Sequence, residues 1–196
     1  MKTFLLISVI ICTLCACNPS AGIDFNLETV IIGATLNNTN STITLGDTLI
    51  IKAKLPDVVS STSGIINVKS LQRSQFYMRI FKIDTVNNRA SSLQPPLFWT
   101  SKGSISSTNA FNYLFNTNAA PYEVIINFKA QVRGIYYLEV VDQAGQIKVN
   151  DSYDGSLIVN FNVPSRNINI AAPFATAAWV ADAESRVAGT YVFRVI

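Results

Sequence analysis

The chain has 196 residues and a formal net charge of +3, with 15 Lys and Arg, 12 Asp and Glu, and no histidine. The missing histidine excludes Ser-His-Asp and Cys-His catalysis and removes the commonest transition-metal ligand. A charge this close to neutral, without a Lys or Arg cluster, argues against a nucleic-acid partner.

The N-terminus has the pattern of a bacterial lipoprotein signal. After a basic start, the uncharged run FLLISVIICTL (residues 4–14) is too short for a bilayer-spanning helix, which needs about 20 residues. The stretch LCAC (residues 14–17) resembles the lipobox of bacterial lipoproteins. That resemblance implies cleavage before Cys17 and its acylation, with palmitate as a typical chain, because stable anchoring takes more than one acyl chain. We predict a signal peptide at 1–16 and a lipidated tether at 17–24.

The positions of the cysteines bear on the compartment. Cys12 and Cys15 would leave with the signal peptide, so the mature chain would keep only the acylated Cys17 and could form no internal disulfide. An ordinary secretory signal, with Cys17 a spare thiol, is the alternative. By resemblance to lipoprotein sorting rules, Asn18 after the cysteine favours the outer membrane. Its periplasmic face and the cell surface both remain open.

Residues 25–196 are predicted to form one domain rich in β-strands. Some segments alternate apolar and polar residues, which is typical of half-buried antiparallel strands, and others are apolar on both faces, which favours interior positions. In the closing strand, Thr190 and Arg194 are predicted to face outward. The predicted strands are 49–55, 75–84, 122–131, 134–142, 157–163 and 190–196.

The segments between these strands differ in character. Residues 85–121 are rich in Asn, Ser and Thr and predict a long irregular loop with one or two brief strands. An alanine-rich segment predicts a short helix near 175–187, stopped by Gly189. Arg133-Gly134 is predicted to join two long strands as a tight hairpin.

Three stretches resemble immunoglobulin-like (Ig-like) domains. STITLGDTLIIKAKL (residues 41–55) resembles the opening strands, with an edge strand, a Gly-Asp turn and an inner strand. VRGIYYLEVVD (residues 132–142) resembles the later strand in which a glycine precedes a buried tyrosine pair, and GTYVFRVI (residues 189–196) resembles the closing strand. The resemblance implies an all-β, Ig-like antiparallel β-sandwich with a long irregular loop and a short helix before the C-terminal strand. A looser likeness is to small, uncharacterised lipoproteins of Gram-negative outer membranes that carry one such domain.

Aromatic residues in the irregular regions are the candidate binding residues. Trp99, Tyr113 and Trp179 fall between the regular strands, where exposed rings can stack on sugars or anchor a protein partner. The alternative is that these rings close the ends of the sandwich.

Acidic turn residues are the candidate metal ligands. Asp142, Asp151 and Asp154 are hard oxygen donors of the type that calcium uses. Their spacing does not match an EF-hand, and ordinary turns have the same composition. Beyond this structural calcium, the sequence predicts no cofactor.

These observations predict a protein that binds and is not an enzyme. The expected role is a structural or accessory component of the outer membrane, held by its N-terminal lipid and contacting an envelope protein or a glycan. A carbohydrate-binding lipoprotein that uses the loop aromatics is one alternative. A hydrolase that uses paired carboxylates is another.

Overall fold

The computed structural model describes residues 29–61, 64–94, 97–106, 111–141, 145–150, 153–185 and 189–196. The predictions for the signal peptide, Cys17 and the tether lie outside these residues. Within them the chain is all-β apart from one short α-helix and three 3-10 helices. No described helix combines the length and the apolar character needed to cross a bilayer.

The described strands are short, except β6 and β14. In chain order they are β1 (Val30–Leu36), β2 (Thr42–Ile43), β3 (Thr48–Lys54), β4 (Val58–Ser61), β5 (Gly64–Asn67), β6 (Arg73–Asp84), β7 (Arg89–Ser92), β8 (Phe98–Lys102), β9 (Ser104–Ile105), β10 (Asn112–Leu114), β11 (Glu123–Lys129), β12 (Gly134–Val140), β13 (Gln146–Asn150), β14 (Tyr153–Phe161) and β15 (Thr190–Val195). The helices are the 3-10 turns Val68–Ser70, Ile168–Ile170 and Ala172–Phe174, and α1 (Ala177–Ser185).

Thirteen of the fifteen described strands form one continuous mixed sheet. Its path runs β2-β15-β12-β6-β13-β14-β1-β3-β11-β8, with β7 and β10 also paired to β6, β9 paired to β10, and β4 and β5 forming a separate hairpin. Most pairs are antiparallel, but β1 pairs with β14 and β2 with β15 in parallel. The prediction of a wholly antiparallel arrangement is therefore wrong. Alternation along one strand fixes which side chains face the core, but it carries no information on the direction of the neighbouring strand.

The predicted core faces are confirmed. On β3 and just after it, the side chains of Leu49, Ile51, Ala53 and Leu55 are all buried, as the alternating pattern requires. Strands that are not hydrogen-bonded to each other also contact through their side chains. The centroid of the Phe128 ring on β11, for example, lies 5.6 Å from that of the Tyr136 ring on β12. Residues from both halves of the sheet path therefore contribute to one hydrophobic core.

A second, smaller core covers the outer face of β12 and β15. Thr190 lies on the outward side of β15, as predicted, but it is not exposed to solvent: it is only 1% exposed, and Val192 on the same side is also buried, whereas Arg194 is exposed. The reason is that α1 and the preceding 3-10 turns pack on this face. The buried residues of this second core are Ile83, Ile135, Tyr137, Ile168, Ala171, Ala183 and Val192.

Two predicted connections differ from the structure. Arg133 and Gly134 do not close a hairpin, because β11 pairs with β3 and β8 while β12 pairs with β6 and β15. The described residues of 85–121 contain four strands, β7 to β10, instead of one or two. The predicted short helix is present, and its described part, α1, lies inside the predicted range.

Candidate functional site

Tyr113, on β10, lies inside the core. Its side chain is 0% exposed, and its ring stacks on Phe76 at 5.5 Å between centroids. Burial raises the pKa of its hydroxyl, which has no hydrogen-bond partner among the described residues. Tyr113 is therefore out of reach of a ligand at the surface, and its ring serves packing.

Trp179 lies on α1, over the outer face of the sheet. Thr176 caps this helix, because its Oγ1 accepts a hydrogen bond at 3.1 Å from the backbone N–H of Trp179. The indole ring meets Tyr137 of β12 edge-on at 5.2 Å, and Tyr137 stacks on Phe81 of β6 at 4.6 Å. The cap and this aromatic row fix both the position and the tilt of the indole.

Arg166 holds the other end of α1. Its guanidinium donates to the carbonyl oxygen of Ala183 at 2.9 Å and to that of Glu184 at 2.7 Å, where the last helical carbonyls have no partner in the helix. The carbonyl of Arg166 accepts a hydrogen bond at 2.9 Å from the N–H of Val192 on β15. One residue thus ties the helix to the edge of the sheet.

Between α1 and the sheet lies a cleft of about 180 Å³, called here the Trp179 cleft. Its walls are mostly apolar, and Asn88 and Thr176 supply polar groups. Asn88 stands at φ 52°, a left-handed conformation that asparagine tolerates in a turn. The lining residues are Ile83, Asn88, Ala90, Tyr137, Phe174, Ala175, Thr176 and Trp179.

The size and chemistry of the Trp179 cleft limit what it can hold. It is smaller than the roughly 300–1,000 Å³ of sites that enclose a whole drug-sized ligand. It suits one ring-sized terminal group, packed on aromatic walls and hydrogen-bonded by an amide and a hydroxyl.

Trp99 lies in a different setting, on β8 at the end of the sheet path. It is 43% exposed and stands opposite Asn127 of β11. The Nδ2 of Asn127 donates to the Oγ of Ser101 at 3.1 Å. We call this flat outer surface of β8 and β11 the Trp99 face. Because Trp99 and Trp179 lie on different halves of the sheet and Tyr113 is in the core, the three predicted binding residues do not form one platform.

A buried carboxylate lies on the same side of β11 as Asn127. Glu123 is only 5% exposed, and its two oxygens each contact an ammonium at 2.9 Å, that of Lys52 on β3 and that of Lys102 on β8. Burial alone would raise the pKa of Glu123, but the hydrogen bonds and charges of the two lysines outweigh it and lower the pKa. Glu123 therefore stays ionised, which suits a structural ion pair and not the general acid of a hydrolase.

The alternation of β11 predicts an outward side for Glu123 and Asn127, yet both are buried. Neighbouring side chains on β3 and β8 cover them. The lysines of β3, Lys52 and Lys54, are the sequence feature that could have indicated a basic partner for Glu123. Their proximity to Glu123 can be recognised only when the register of β3 with β11 is known.

The proposed calcium ligands fall largely outside the described residues. Asp142 and Asp151 lie outside them, and Asp154 belongs to β14, where the position of its side chain is not described. In the rest of the described chain, no three acidic or cysteine side chains are grouped to hold a metal ion. The calcium site therefore stays a prediction.

No protein-family model matches the sequence, and no curated protein matches it at a significant level. Residue roles therefore cannot be transferred from a homologue, and what the two tryptophan regions can bind follows from their own side chains.

Proposed function

We propose that this chain is a lipid-anchored protein of the bacterial cell envelope that binds a glycan end group in the Trp179 cleft. The observation that carries the proposal is the placement of Trp179 over Tyr137 by a capped and clamped helix. A surface helix that served only to cover the sheet would need no open aromatic wall with an amide and a hydroxyl beside it. The domain that presents this cleft is, in the same proposal, an Ig-like β-sandwich.

Strand order supports the Ig-like fold. Seven strands in chain order, β1, β3, β6, β8, β11, β12 and β15, can be lettered A to G. The neighbours β1-β3-β11-β8 then read A-B-E-D, and β6-β12-β15 read C-F-G, which are the two sheets of an Ig constant-type domain. The ring contact between β11 and β12 agrees with face-to-face packing of these two groups.

A local feature supports it as well. The hydroxyl of Tyr136, near the start of β12, donates to the carbonyl oxygen of Val132 at 2.6 Å. In Ig-like domains a tyrosine near the start of strand F makes a similar bond to the backbone a few residues upstream. This is the tyrosine pair that follows the glycine in the sequence GIYYL.

The segment that carries Trp179 belongs to the connection between strands F and G in this lettering. The connection between β12 and β15, the F and G strands in this lettering, contains β13, β14 and α1. In variable domains, the loop between these strands is one of the ligand-binding loops, and binding residues in general concentrate on loops held by a rigid scaffold.

A glycan array tests the proposal directly. We expect the mature chain, residues 17–196 with Cys17 replaced by Ser to avoid a free thiol, to bind one class of envelope glycan. Trp179→Ala and Asn88→Ala should each lose that signal. Trp99→Ala is the matched control, because it removes the same side chain from the other half of the sheet, and it should keep the signal. Absence of any glycan signal, or its equal loss in Trp99→Ala, would overturn the cleft assignment.

The lipid anchor needs a separate test. In Gram-negative cells, the full chain should fractionate with the outer membrane, and Cys17→Ala should remain unprocessed or become soluble. Normal processing and membrane retention of Cys17→Ala would contradict the lipoprotein proposal without affecting the proposed cleft.

The Trp99 face supports a second candidate function, contact with an envelope protein. A 43% exposed tryptophan on the strand that ends the sheet path is suited to anchor an interface, since aromatic residues dominate such contacts. Crosslinking in intact cells through a photoreactive residue at position 99 should then capture a discrete protein, and the same residue placed at 179 should not. Capture of lipid alone would count against this function.

A further inference from the structure

A separate cleft opens where β6 ends and β12 begins. Its volume is about 400 Å³, within the range of ordinary ligand sites, and we call it the end cleft. Lys82 and Arg133 lie on its wall, together with Asp84 and Ser91. It shares Ile83 with the Trp179 cleft, but its other lining residues differ. Ala90 and Ser91 are successive residues of β7 whose side chains point to opposite faces, one toward each cleft.

Two of the three charged side chains on this wall are positive. Within the described part of the chain, neither Lys82 nor Arg133 has a carboxylate within ion-pair distance. Asp84 is the acidic residue of the wall, but its carboxylate is hydrogen-bonded to residues of the turn that follows it. Its carboxylate accepts hydrogen bonds from the side-chain amide of Asn87 at 2.7 Å and from the backbone N–H of Val86 at 2.9 Å. These bonds, with the charge of Lys82 nearby, lower its pKa, so it stays ionised and turned toward its own loop.

An apolar pocket continues from the end cleft toward the core. Its volume is about 110 Å³, and it shares Lys82 and Leu93 with the end cleft. The buried rings of Phe128 and Tyr136 supply apolar surface deeper in, and the exposed side chain of Val132 also lines the pocket. A cationic rim above an apolar pocket is chemically complementary to a molecule with a negative head and a hydrocarbon part.

The rim is also held in place. The hydroxyl of Tyr136 binds the carbonyl of Val132 at 2.6 Å, one residue before Arg133, and burial raises the pKa of Tyr136, so the hydroxyl remains a donor at physiological pH. Gly134 makes room for Lys82, because a Cβ at position 134 would lie 3.0 Å from the lysine Cε. Gly134 also has a φ of 148°, a backbone conformation that residues other than glycine rarely adopt.

We propose that the end cleft binds an acidic amphiphile, with its phosphate or carboxylate head between Lys82 and Arg133 and its hydrocarbon part against Leu93 and Phe128. Arginine can pair with either oxyanion through two parallel hydrogen bonds, and lysine adds a point charge. The site does not depend on the lipid anchor or on the Trp179 cleft, so its test is independent of the proposed function.

Calorimetry with four probes tests this site on the mature chain. The probes are octyl phosphate, octanoate, octanol and inorganic phosphate, each below any micelle-forming concentration. Octyl phosphate or octanoate should bind at least about tenfold more tightly than octanol, which lacks the charge, and than inorganic phosphate, which lacks the chain. If octanol binds as tightly as the acidic probes, the cations do not contribute to binding. If inorganic phosphate binds as tightly as octyl phosphate, the apolar pocket does not contribute. Either result overturns the proposal. Comparison of the two acids shows which oxyanion the rim prefers.

Variants locate the binding. Lys82→Gln and Arg133→Gln should each weaken octyl phosphate binding by about tenfold, whereas Lys54→Gln, at an exposed lysine of β3, should leave it unchanged. Val132→Gln probes the apolar pocket without endangering the fold, because Val132 is 53% exposed. It should weaken octyl phosphate and leave the heat with inorganic phosphate unaltered. Equal effects of Lys54→Gln and Lys82→Gln would show general attraction to a positive surface and contradict the site.

Discussion

The Trp179 cleft and the Trp99 face each contain one exposed or partly exposed tryptophan, but the two surfaces have different shapes. Trp179 belongs to a segment between β12 and β15 that folds back over the sheet, so its ring forms one wall of a cleft and contacts Tyr137 edge-on. Trp99 is part of a strand, so its ring lies on a flat surface beside Asn127. The difference teaches that the element carrying an aromatic residue, more than the residue itself, decides whether it can enclose a ligand or only cover one.

Replacing each tryptophan by alanine should give the largest contrast. Trp179→Ala removes a ring that packs α1 onto Tyr137, and we expect the free energy of unfolding to fall by about 2 kcal/mol. Trp99→Ala removes a ring at an exposed strand position and should change it by less than about 0.5 kcal/mol. Urea denaturation of both variants measures the difference. Equal losses would mean that Trp99 packs as strongly as Trp179 and would break the contrast.

The helix clamp gives the next largest effect. Arg166→Gln leaves two C-terminal carbonyls of α1 without their charged donor, and we expect a loss of about 1–2 kcal/mol. The loss should be local to the Trp179 cleft. In the Trp99→Phe background, where Trp179 is the remaining tryptophan, Arg166→Gln should shift the emission to longer wavelength. In the Trp179→Phe background it should not. A shift in both would show that Arg166 supports the whole sheet.

The Trp99 face should respond to acid through Glu123. Because its pKa is lowered in the folded state, the stabilising effect of Glu123 is complete above its unfolded pKa of about 4.3 and is lost as the pH falls through the lower folded value. Glu123→Gln should cost about 1 kcal/mol at neutral pH and should flatten the loss of stability on going to about pH 3. Thermal melts of parent and variant over this range measure it. If Glu123→Gln loses as much stability between neutral pH and about pH 3 as the parent does, the proposed role of this ion pair is contradicted.

A small change, with no loss of stability, is expected at Tyr113, which belongs to neither surface. Tyr113→Phe removes a buried hydroxyl without a partner among the described residues, so stability should stay the same or rise by less than about 1 kcal/mol. Ligand binding at the Trp179 cleft should not change. A clear loss of stability in Tyr113→Phe would mean that the hydroxyl has a bonding role after all.

The sequence could predict the faces of the strands, because alternation with period two follows directly from which side is buried. It failed where a distant segment supplies the cover. Thr190 looks outward from its own strand and is buried only because residues between 168 and 185 fold over β15. It failed likewise at Arg133 and Gly134, since a turn-forming pair does not reveal whether the flanking strands will pair with each other or with strands far along the chain.

The sequence could identify some residues of the candidate sites but not the surfaces to which they belong. Trp179 and Trp99 could be named as aromatics in irregular regions, but nothing local distinguishes a wall of a cleft from a flat surface. Tyr113 has the same local pattern and lies in the core, because β10 pairs with the interior strand β6. The end cleft had no sequence signal, since Lys82 and Arg133 lie about 50 residues apart and meet only through the pairing of β6 with β12.

Fluorescence titration of two single-tryptophan variants tests the central claim most directly. With the glycan that the array identifies, the Trp99→Phe variant reports Trp179 alone, and the Trp179→Phe variant reports Trp99 alone, because the chain has two tryptophans. The account predicts saturable quenching or a blue shift in Trp99→Phe and no change in Trp179→Phe. Saturable change in Trp179→Phe, with none in Trp99→Phe, would place the ligand on the Trp99 face and contradict the account.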